Sequence, residues 1–410
     1  MPHVTRYGRS LWIDEFPKSR QPAYPKQRGA VQADVAIVGG GLTGCATAYA
    51  CAAAGFKVAL VEADRVGQGN GGRSTGWLAA DPGVSFAAIE KAMGRRAARH
   101  AWQSWRRAAL DMAALVRRLN LKCDLDDRET MVIASTADGV NWLKREQKTR
   151  RDAGLDASFV RAATVAASGQ QAALRSRDGA VLDPYRAAIG LATAAVARGA
   201  VVFERTPARR VAFGRKSAEV FVDGGSIRAG RVVIATGSPT GLFRALRRHF
   251  WFDSRYVAVT ERIPATIRRT LGSPNIVVRD VAIPPHVVRW VGDNRMLVAG
   301  AAAEQPPDRL RDKAIVQRTG QLMYELSTLY PDISGIMPAY GWDAPYSRTE
   351  DGLPFIGPHR NYPFHLFAFG DSSAGVTGAY LASRILLRNI QDKPDRADDV
   401  FGFNRYGHVR

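Results

Sequence analysis

The sequence predicts an α/β protein of two interleaved domains, one wound on a parallel sheet and one of α+β type built on an antiparallel or mixed sheet. Three observations predict it. A strand, glycine turn, helix and second strand follow one another at 33–64. A buried strand ending in Ala235-Thr236-Gly237, and a strand and glycine-opened helix near 365–390, return to the same grammar far downstream. Between them lie strand-rich stretches with hairpin spacing, and no repeat, low-complexity tract or flexible linker divides the chain.

The first unit is a short apolar run, Val35 to Val38, then a glycine turn, a helix over Leu42 to Ala54 that stops at Gly55, and a strand over Lys57 to Val61. Gly39, Gly41 and Gly44 form G-x-G-x-x-G. In a Rossmann-type unit the first glycine makes the turn, the second lets backbone approach a pyrophosphate, and the third lets helix and strand pack closely. The helix N-terminus offers unpaired N–H groups to that anion. Glu62 stands 18 residues after Gly44, where an acid meets an adenosine ribose. Together these predict a dinucleotide site.

Residues 1–32, with Trp12, Pro17, Pro22 and Pro25, read as an extended lead packed on the body. The glycine-rich stretch Gly67 to Trp77 suits close backbone contact with a ligand. Arg96 to Leu119 reads as a helix whose stripe of Trp102, Trp105, Ala109, Met112, Val116 and Leu119 faces the core. Thr130 to Ser135 is strand-like, and Asp138 is the expected cap of a charged helix ending near Gly154. Asp183 and Pro184 open a helix that Gly199 closes. A strand and a small antiparallel meander follow at 201–228, before the strand Arg231 to Gly237. Tyr256 to Val259, Asn275 to Val278, His286 to Val291 and Arg295 to Gly300 are strands, with a turn at Gly292-Asp293-Asn294. A helix runs from Asp308 to about Tyr330.

A chain of 410 residues holds two or three domains, and 46% hydrophobic with 23% charged residues is ordinary for a folded protein. No apolar segment has the length of a signal peptide or membrane span; Ala187 to Ala197 comes nearest and is too short. Cys45, Cys51 and Cys123 have no metal-ligand spacing, and an odd number argues against a disulfide framework. No metal site and a cytoplasmic location are expected. The net charge of +20 comes mostly from 48 arginines, seven of them between Leu242 and Arg269. A solvated arginine-rich surface explains it; an anionic membrane face or a nucleic-acid partner are the alternatives. No aromatic interleaving or nucleic-acid motif supports the last.

With the segments Gly67 to Gly76, Val232 to Gly237, Asp351-Gly352-Leu353-Pro354-Phe355-Ile356-Gly357 and Gly370 to Gly378 added to the first glycine motif, the chain resembles the FAD-dependent amine and D-amino-acid oxidase family from about Ser10 to Phe403. That resemblance implies a Rossmann-type FAD-binding domain made of 33–90, 165–245 and 340–410, and a substrate domain made of 91–164 and 246–339. It implies non-covalent FAD, since no cysteine falls where some members attach the flavin. Gly39, Gly41, Leu42, Thr43 and Gly44 would hold the pyrophosphate, and Glu62 with Ala63 the adenosine ribose. Asn70, Gly71, Thr75, Gly76 and Trp77 would approach the ribityl chain and ring, and Ala208 the adenine. Thr236 and Gly237 would form a second pass of backbone. Gly370, Ser373, Gly375, Val376 and Thr377 would meet the ring's pyrimidine edge, where a helix N-terminus suits the negative charge of reduced flavin.

The resemblance also implies oxidation of a C–N bond in a small amine or amino acid, by hydride transfer to flavin N5, with O2 or another electron acceptor. Members that oxidise free amino acids place a carboxylate-binding arginine where this chain has Tyr346, and some a second where it has Ser373. Those departures favour an amine or a larger substrate. No lysine occurs between Lys216 and Lys313, where sarcosine-oxidase-like members place one that activates oxygen. The candidate substrate residues are His286, Arg289, Trp290, Tyr346 and Arg348; along the strand His286 and Trp290 share one face and Arg289 the other. No catalytic acid or base is assigned. Holding an amine neutral at pH 7 costs ~4.6 kcal/mol against an ordinary pKa of ~10.4, and a dry apolar pocket supplies this by desolvation. A quinone-linked dehydrogenase on a membrane, a tRNA-directed flavoprotein and a non-catalytic flavin-binding subunit are the alternatives.

Overall fold

A computed structural model describes residues 4–161, 167–292, 294–370 and 375–405. The chain begins with β1 (Arg6–Tyr7) and α1 (Leu11–Asp14), then β2 (Gly29–Val38), α2 (Leu42–Ala53), β3 (Val58–Val61) and β4 (Trp77–Leu78). Next come α3 (Phe86–Met93), α4 (Arg95–Arg118), β5 (Asp126–Ala134), α5 (Ala137–Asp152), β6 (Ser158–Arg161), β7 (Ala172–Val181) and α6 (Pro184–Val196). The middle holds β8 (Val201–Phe203), β9 (Ala208–Phe213), β10 (Ala218–Val222), β11 (Gly225–Gly237), β12 (Trp251–Thr260) and α7 (Ala265–Arg268). The last part holds β13 (Ile276–Asp280), β14 (Val287–Val291), β15 (Arg295–Glu304), α8 (Asp308–Leu329), β16 (Pro338–Arg348), β17 (Phe355–Pro358), β18 (His365–Phe369) and α9 (Gly375–Ile390).

Two sheets organise the described residues. The first runs β17-β18-β11-β2-β3-β8, with the meander β9-β10 attached to β11. Its centre, β18-β11-β2-β3-β8, is parallel. Val35 to Val38 are buried there, as their unbroken apolar run requires, and α2 packs against α6 and α9. The second sheet runs β1-β16-β12-β15-β14-β13-β5-β7-β4, with β6 on β7, and mixes both pairing senses. α8 covers one face, packing Ile315, Leu322 and Leu326 on Tyr256, Val288 and Val298. The opposite face, with Val257, Val287, Ala299 and Trp342, shares a core with α2, α4, α6 and α9.

This is the expected fold class, an α/β unit interleaved with an α+β unit. Strand pairing nevertheless divides the chain differently from the expected domain boundaries. β7, within 165–245, pairs with β5, and β16, within 340–410, pairs with β12; both belong to the second sheet. Alternation along a strand shows that it is a strand and not which neighbour it joins. The N-terminal lead contributes β1 to the edge of that sheet, pairing Arg6 with Tyr340. At α5 the cap is Thr136, whose hydroxyl accepts from the Gly139 N–H, while Asp138 lies within the first turn. At α6 Asp183 accepts from the Tyr185 and Arg186 N–H groups, with Pro184 at the first helical position. Asp293 of the expected turn lies outside the described residues.

Candidate functional site

The strand-to-helix turn after β2 is built by sterics. Gly39 has φ +109°, and a Cβ there would sit 2.6 Å from the Ala235 carbonyl oxygen of neighbouring β11. A Cβ on Gly44 would overlap the Gly39 carbonyl, 3.0 Å from its carbon. Gly41, the N-cap of α2, has no side-chain cap, and nothing lies within 4 Å of where its Cβ would be. The first amides of α2 therefore face open space, in a cavity of about 690 Å³.

That cavity spans the C-terminal ends of β2, β3 and β11. Gly39, Gly41, Leu42 and Thr43 line one wall, and Glu62 and Ala63 follow from the end of β3. Thr206 to Arg209, Ala235 to Gly237, Thr240 to Leu242 and Arg244 line the outer side. Asn70, Gly71 and Ser74 lead inward to Gly370 and to Gly375, Val376 and Gly378 at the start of α9. Two helix N-termini thus open into one cavity. Glu62 is fixed within it: one carboxylate oxygen accepts from the Gly40 N–H at 2.6 Å and the other from the Asp64 N–H at 2.9 Å. Burial raises its pKa, against the lowering effect of those amides.

A smaller cavity adjoins the first, sharing Asn70, Ser74, Tyr346 and Gly375. It reaches the second sheet, where Arg255, Val257, Ala344 and Pro345 line it together with Arg73 and Thr75. Arg255 pairs with Ala344 and Val257 with Trp342, so these residues and Tyr346 share the face turned toward the first sheet.

Of the expected cofactor residues, Gly39, Gly41, Leu42, Thr43, Glu62, Ala63, Asn70, Gly71, Ala208, Thr236, Gly237, Gly370, Gly375 and Val376 line the larger cavity. Gly44 lies behind it, at the helix–strand contact. Thr75 lines the smaller one. Gly76 and Trp77 line neither; Trp77 is buried and its strand pairs with β7. Thr377 is also buried, its hydroxyl donating to the Ala79 carbonyl at 2.8 Å. Ser373 lies outside the described residues.

The five expected substrate residues separate. Tyr346 lines both cavities. His286 and Trp290 lie on the α8 face of the second sheet, away from both. The His286 ring meets Asp280 at 2.6 Å through Nδ1 and Glu325 at 2.9 Å through Nε2, and these carboxylates push its pKa up to about 8. Arg289 faces the other way but lines no cavity. It is buried, donating to the carbonyls of Thr75 at 2.7 Å and Leu182 at 3.3 Å, with its guanidinium 5.1 Å from the Trp12 ring. Burial lowers its pKa to about 9. Arg348, at the end of β16, pairs with Asp253 at 2.9 Å and stacks on Trp251.

Several lining residues were not expected. Trp105 of the α4 stripe reaches the larger cavity, its ring against Gly378, where a Cβ would sit 3.2 Å away. Its helical spacing marked it as core, and it serves as core and wall together. Arg255 sat in a basic stretch with no motif; the alternation Arg255, Val257, Val259 was its one local signal. Cys45, Cys51 and Cys123 are buried, line neither cavity, and have thiols pushed up by burial. Among the described residues no cluster could hold a metal, and no helix is long and apolar enough to cross a membrane.

Comparison with known proteins follows this geometry. A family model described as FAD dependent oxidoreductase (DAO) matches residues 34–388. Gamma-glutamylputrescine oxidoreductase of Escherichia coli (strain K12) is 26% identical over 388 residues, covering 92% of this chain and 88% of the relative. The crystal structure of glycine oxidase from Geobacillus kaustophilus superposes with a TM-score of 0.72 at 20% identity, covering 91% of this chain and 98% of that one. L-amino acid deaminase from Proteus myxofaciens, solved in complex with anthranilate, gives 0.74 at 15% identity, covering 98% and 100%.

Proposed function

Because the chain belongs to the DAO family of FAD-dependent oxidoreductases, we propose that it oxidises a C–N bond in a small-molecule amine or amino acid. The observation that carries this reading is the single cavity into which both α2 and α9 present their N-termini, continued by a second cavity at the face of the larger sheet. Bound there, FAD supplies a hydride acceptor for the substrate C–H next to nitrogen. The substrate loses that hydride and a proton to become an imine, which water hydrolyses to a carbonyl compound and the free amine.

The residues present fit the cofactor. In this reading the open amides of Leu42, Thr43 and Gly44 hold the pyrophosphate, aided by the partial positive charge of the α2 N-terminus. Glu62, oriented by the Gly40 and Asp64 amides, accepts from the adenosine ribose, and Ala208 borders the adenine. Thr236 and Gly237 close the outer side. Asn70 and Gly71 flank the path inward, while Arg289 fixes the Thr75 and Gly76 backbone from behind by its bond to the Thr75 carbonyl. Gly370, Gly375 and Val376 border the ring end, and Thr377 anchors the first turn of α9 to Ala79. The buried, unreactive cysteines support non-covalent binding. Tyr346 stands where the two cavities meet and bounds the substrate's place.

Anaerobic mixing of the yellow holoprotein with a panel of amines and amino acids tests the proposal. At least one member should bleach the flavin absorbance and yield an aldehyde or keto product. A panel of primary, secondary and carboxylate-bearing amines that leaves the spectrum unchanged refutes it.

A further inference from the structure

The smaller cavity holds positive charge with no acid to match it. Among its lining side chains Arg73 and Arg255 are guanidinium groups, and none is a carboxylate. We propose that Arg255 is the anion anchor of the substrate site, selecting an amine that also bears a carboxylate. The C–N oxidation proposed above supplies the amine in this statement; the placement of Arg255 stands without it.

Arg255 projects from the middle of the second sheet toward the cofactor side. It lies across from Ala344, whose methyl leaves room above the strand, and its guanidinium sits 5.0 Å from the centre of the Tyr346 ring. It is half-buried, and among the described residues no carboxylate lies within ion-pair distance of it. The nearby acids are occupied. Asp253 pairs with Arg348, and Asp343 is shared by Arg311, at 2.7 and 2.8 Å, and by Arg73, at 3.4 Å. Deeper on the same face, Arg279 donates to the Gly83 carbonyl and stands 3.8 Å from Asp81.

A guanidinium that has lost part of its water without gaining a counter-charge is an unfavourable element of a fold unless a ligand completes it. A carboxylate is the matching ligand, because its two oxygens fit the planar fork of donors. The Tyr346 face holds that fork in a plane, limiting the rotamer freedom lost on binding. The same positive lining opposes an ammonium ion at this point. It therefore favours the uncharged amine that hydride loss requires, adding to desolvation.

The test titrates holoprotein with anthranilate and with its neutral counterpart anthranilamide, following perturbation of the flavin spectrum, in wild type, Arg255→Gln and Arg255→Lys. Flavin content and melting temperature are measured on each. The wild type should bind anthranilate at least ~10-fold more tightly than the amide, the size of a charge-assisted hydrogen bond. Arg255→Gln should abolish that preference, and Arg255→Lys should keep part of it. No preference in the wild type, including no response to either compound, overturns the proposal, as does an undiminished preference in Arg255→Gln. Should Arg255→Gln not retain flavin, Arg255→Lys decides: a reduced preference supports the anchor and an unchanged one overturns it. Bleaching by amines in the same preparations reports separately on C–N oxidation. Bleaching without an Arg255-dependent preference sinks the anchor alone, and the preference without bleaching sinks the reaction alone.

Discussion

Replacing Gly41 and Gly44 by alanine separates what the glycine turn does for the fold from what it does for the cofactor. At Gly44 the new Cβ overlaps the Gly39 carbonyl, which is backbone and cannot swing aside, so α2 must move away from β2. Overpacking of this kind costs about 1–3 kcal/mol, and Gly44→Ala should lower the stability of the apoprotein itself. At Gly41 the backbone, φ −74° and ψ −176°, suits any residue, and the Cβ meets nothing within 4 Å. Exchanging an N-cap glycine for alanine should cost the apoprotein at most about 1 kcal/mol. The methyl would instead occupy the approach to the α2 amides. Losing one charge-assisted hydrogen bond there is worth about 1.5–3 kcal/mol, or about 10- to 100-fold in FAD affinity. Fluorescence titration of apoprotein with FAD, and thermal unfolding with and without it, read the two effects apart. Ligand-linked stabilisation at a fixed FAD concentration should shrink by about 1.4–2.7 kcal/mol in Gly41→Ala. FAD binding by Gly41→Ala within twofold of wild type, or an unshifted apoprotein melting temperature in Gly44→Ala, would refute the reasoning.

Two further outcomes concern residues on either face of the second sheet. Asp280 and Glu325 raise the His286 pKa, so this pair of contacts stabilises the fold fully below about pH 6.5 and loses its effect as pH rises through about 8; the urea midpoint of wild type should fall across that window by up to about 2 kcal/mol more than that of His286→Gln, with FAD affinity unchanged. Arg289→Met leaves the buried Thr75 and Leu182 carbonyls without that donor, and should cost about 2–4 kcal/mol by urea unfolding and weaken flavin retention, while leaving the anthranilate preference of flavin-loaded protein intact.

The first sheet was legible because its signals are local. Val35 to Val38, the glycine spacing, Asp183-Pro184 at α6 and the meander at 208–228 each combine a short-range steric or capping requirement with one residue type. Glu62 was legible for the same reason, standing at a fixed distance along a continuous unit. The second sheet was legible as strands and not as an arrangement. Period-two alternation fixes that Arg289 and Trp290 point opposite ways, but which face meets the other domain depends on where α8 packs, a contact between segments far apart in sequence. His286 and Trp290 went to the α8 side for that reason. Arg255 and Tyr346 are separated by 91 positions, and only the register of β12 with β16 brings them together.

The basic composition takes on a different meaning once individual arginines are placed. Arg405 is buried against the Phe355 ring at 3.6 Å, donating to Asp351 and to the Leu353 and Pro354 carbonyls, and so fixes the Asp351 to Pro354 turn beside the cavity. Arg150 pairs with Glu146 at 2.9 Å and stacks 4.4 Å from the Trp102 ring. Arg289 clamps the backbone behind the glycine loop. In these positions the planar guanidinium does what a lysine could not, satisfying several carbonyls while stacking on an aromatic ring. Part of the positive charge is thus spent on internal architecture, which weakens the inference from +20 to a polyanionic partner. Arg255 shares the stacking ring but has no carboxylate opposite it, and it faces a cavity. That difference separates an arginine that completes the fold from one that awaits a ligand.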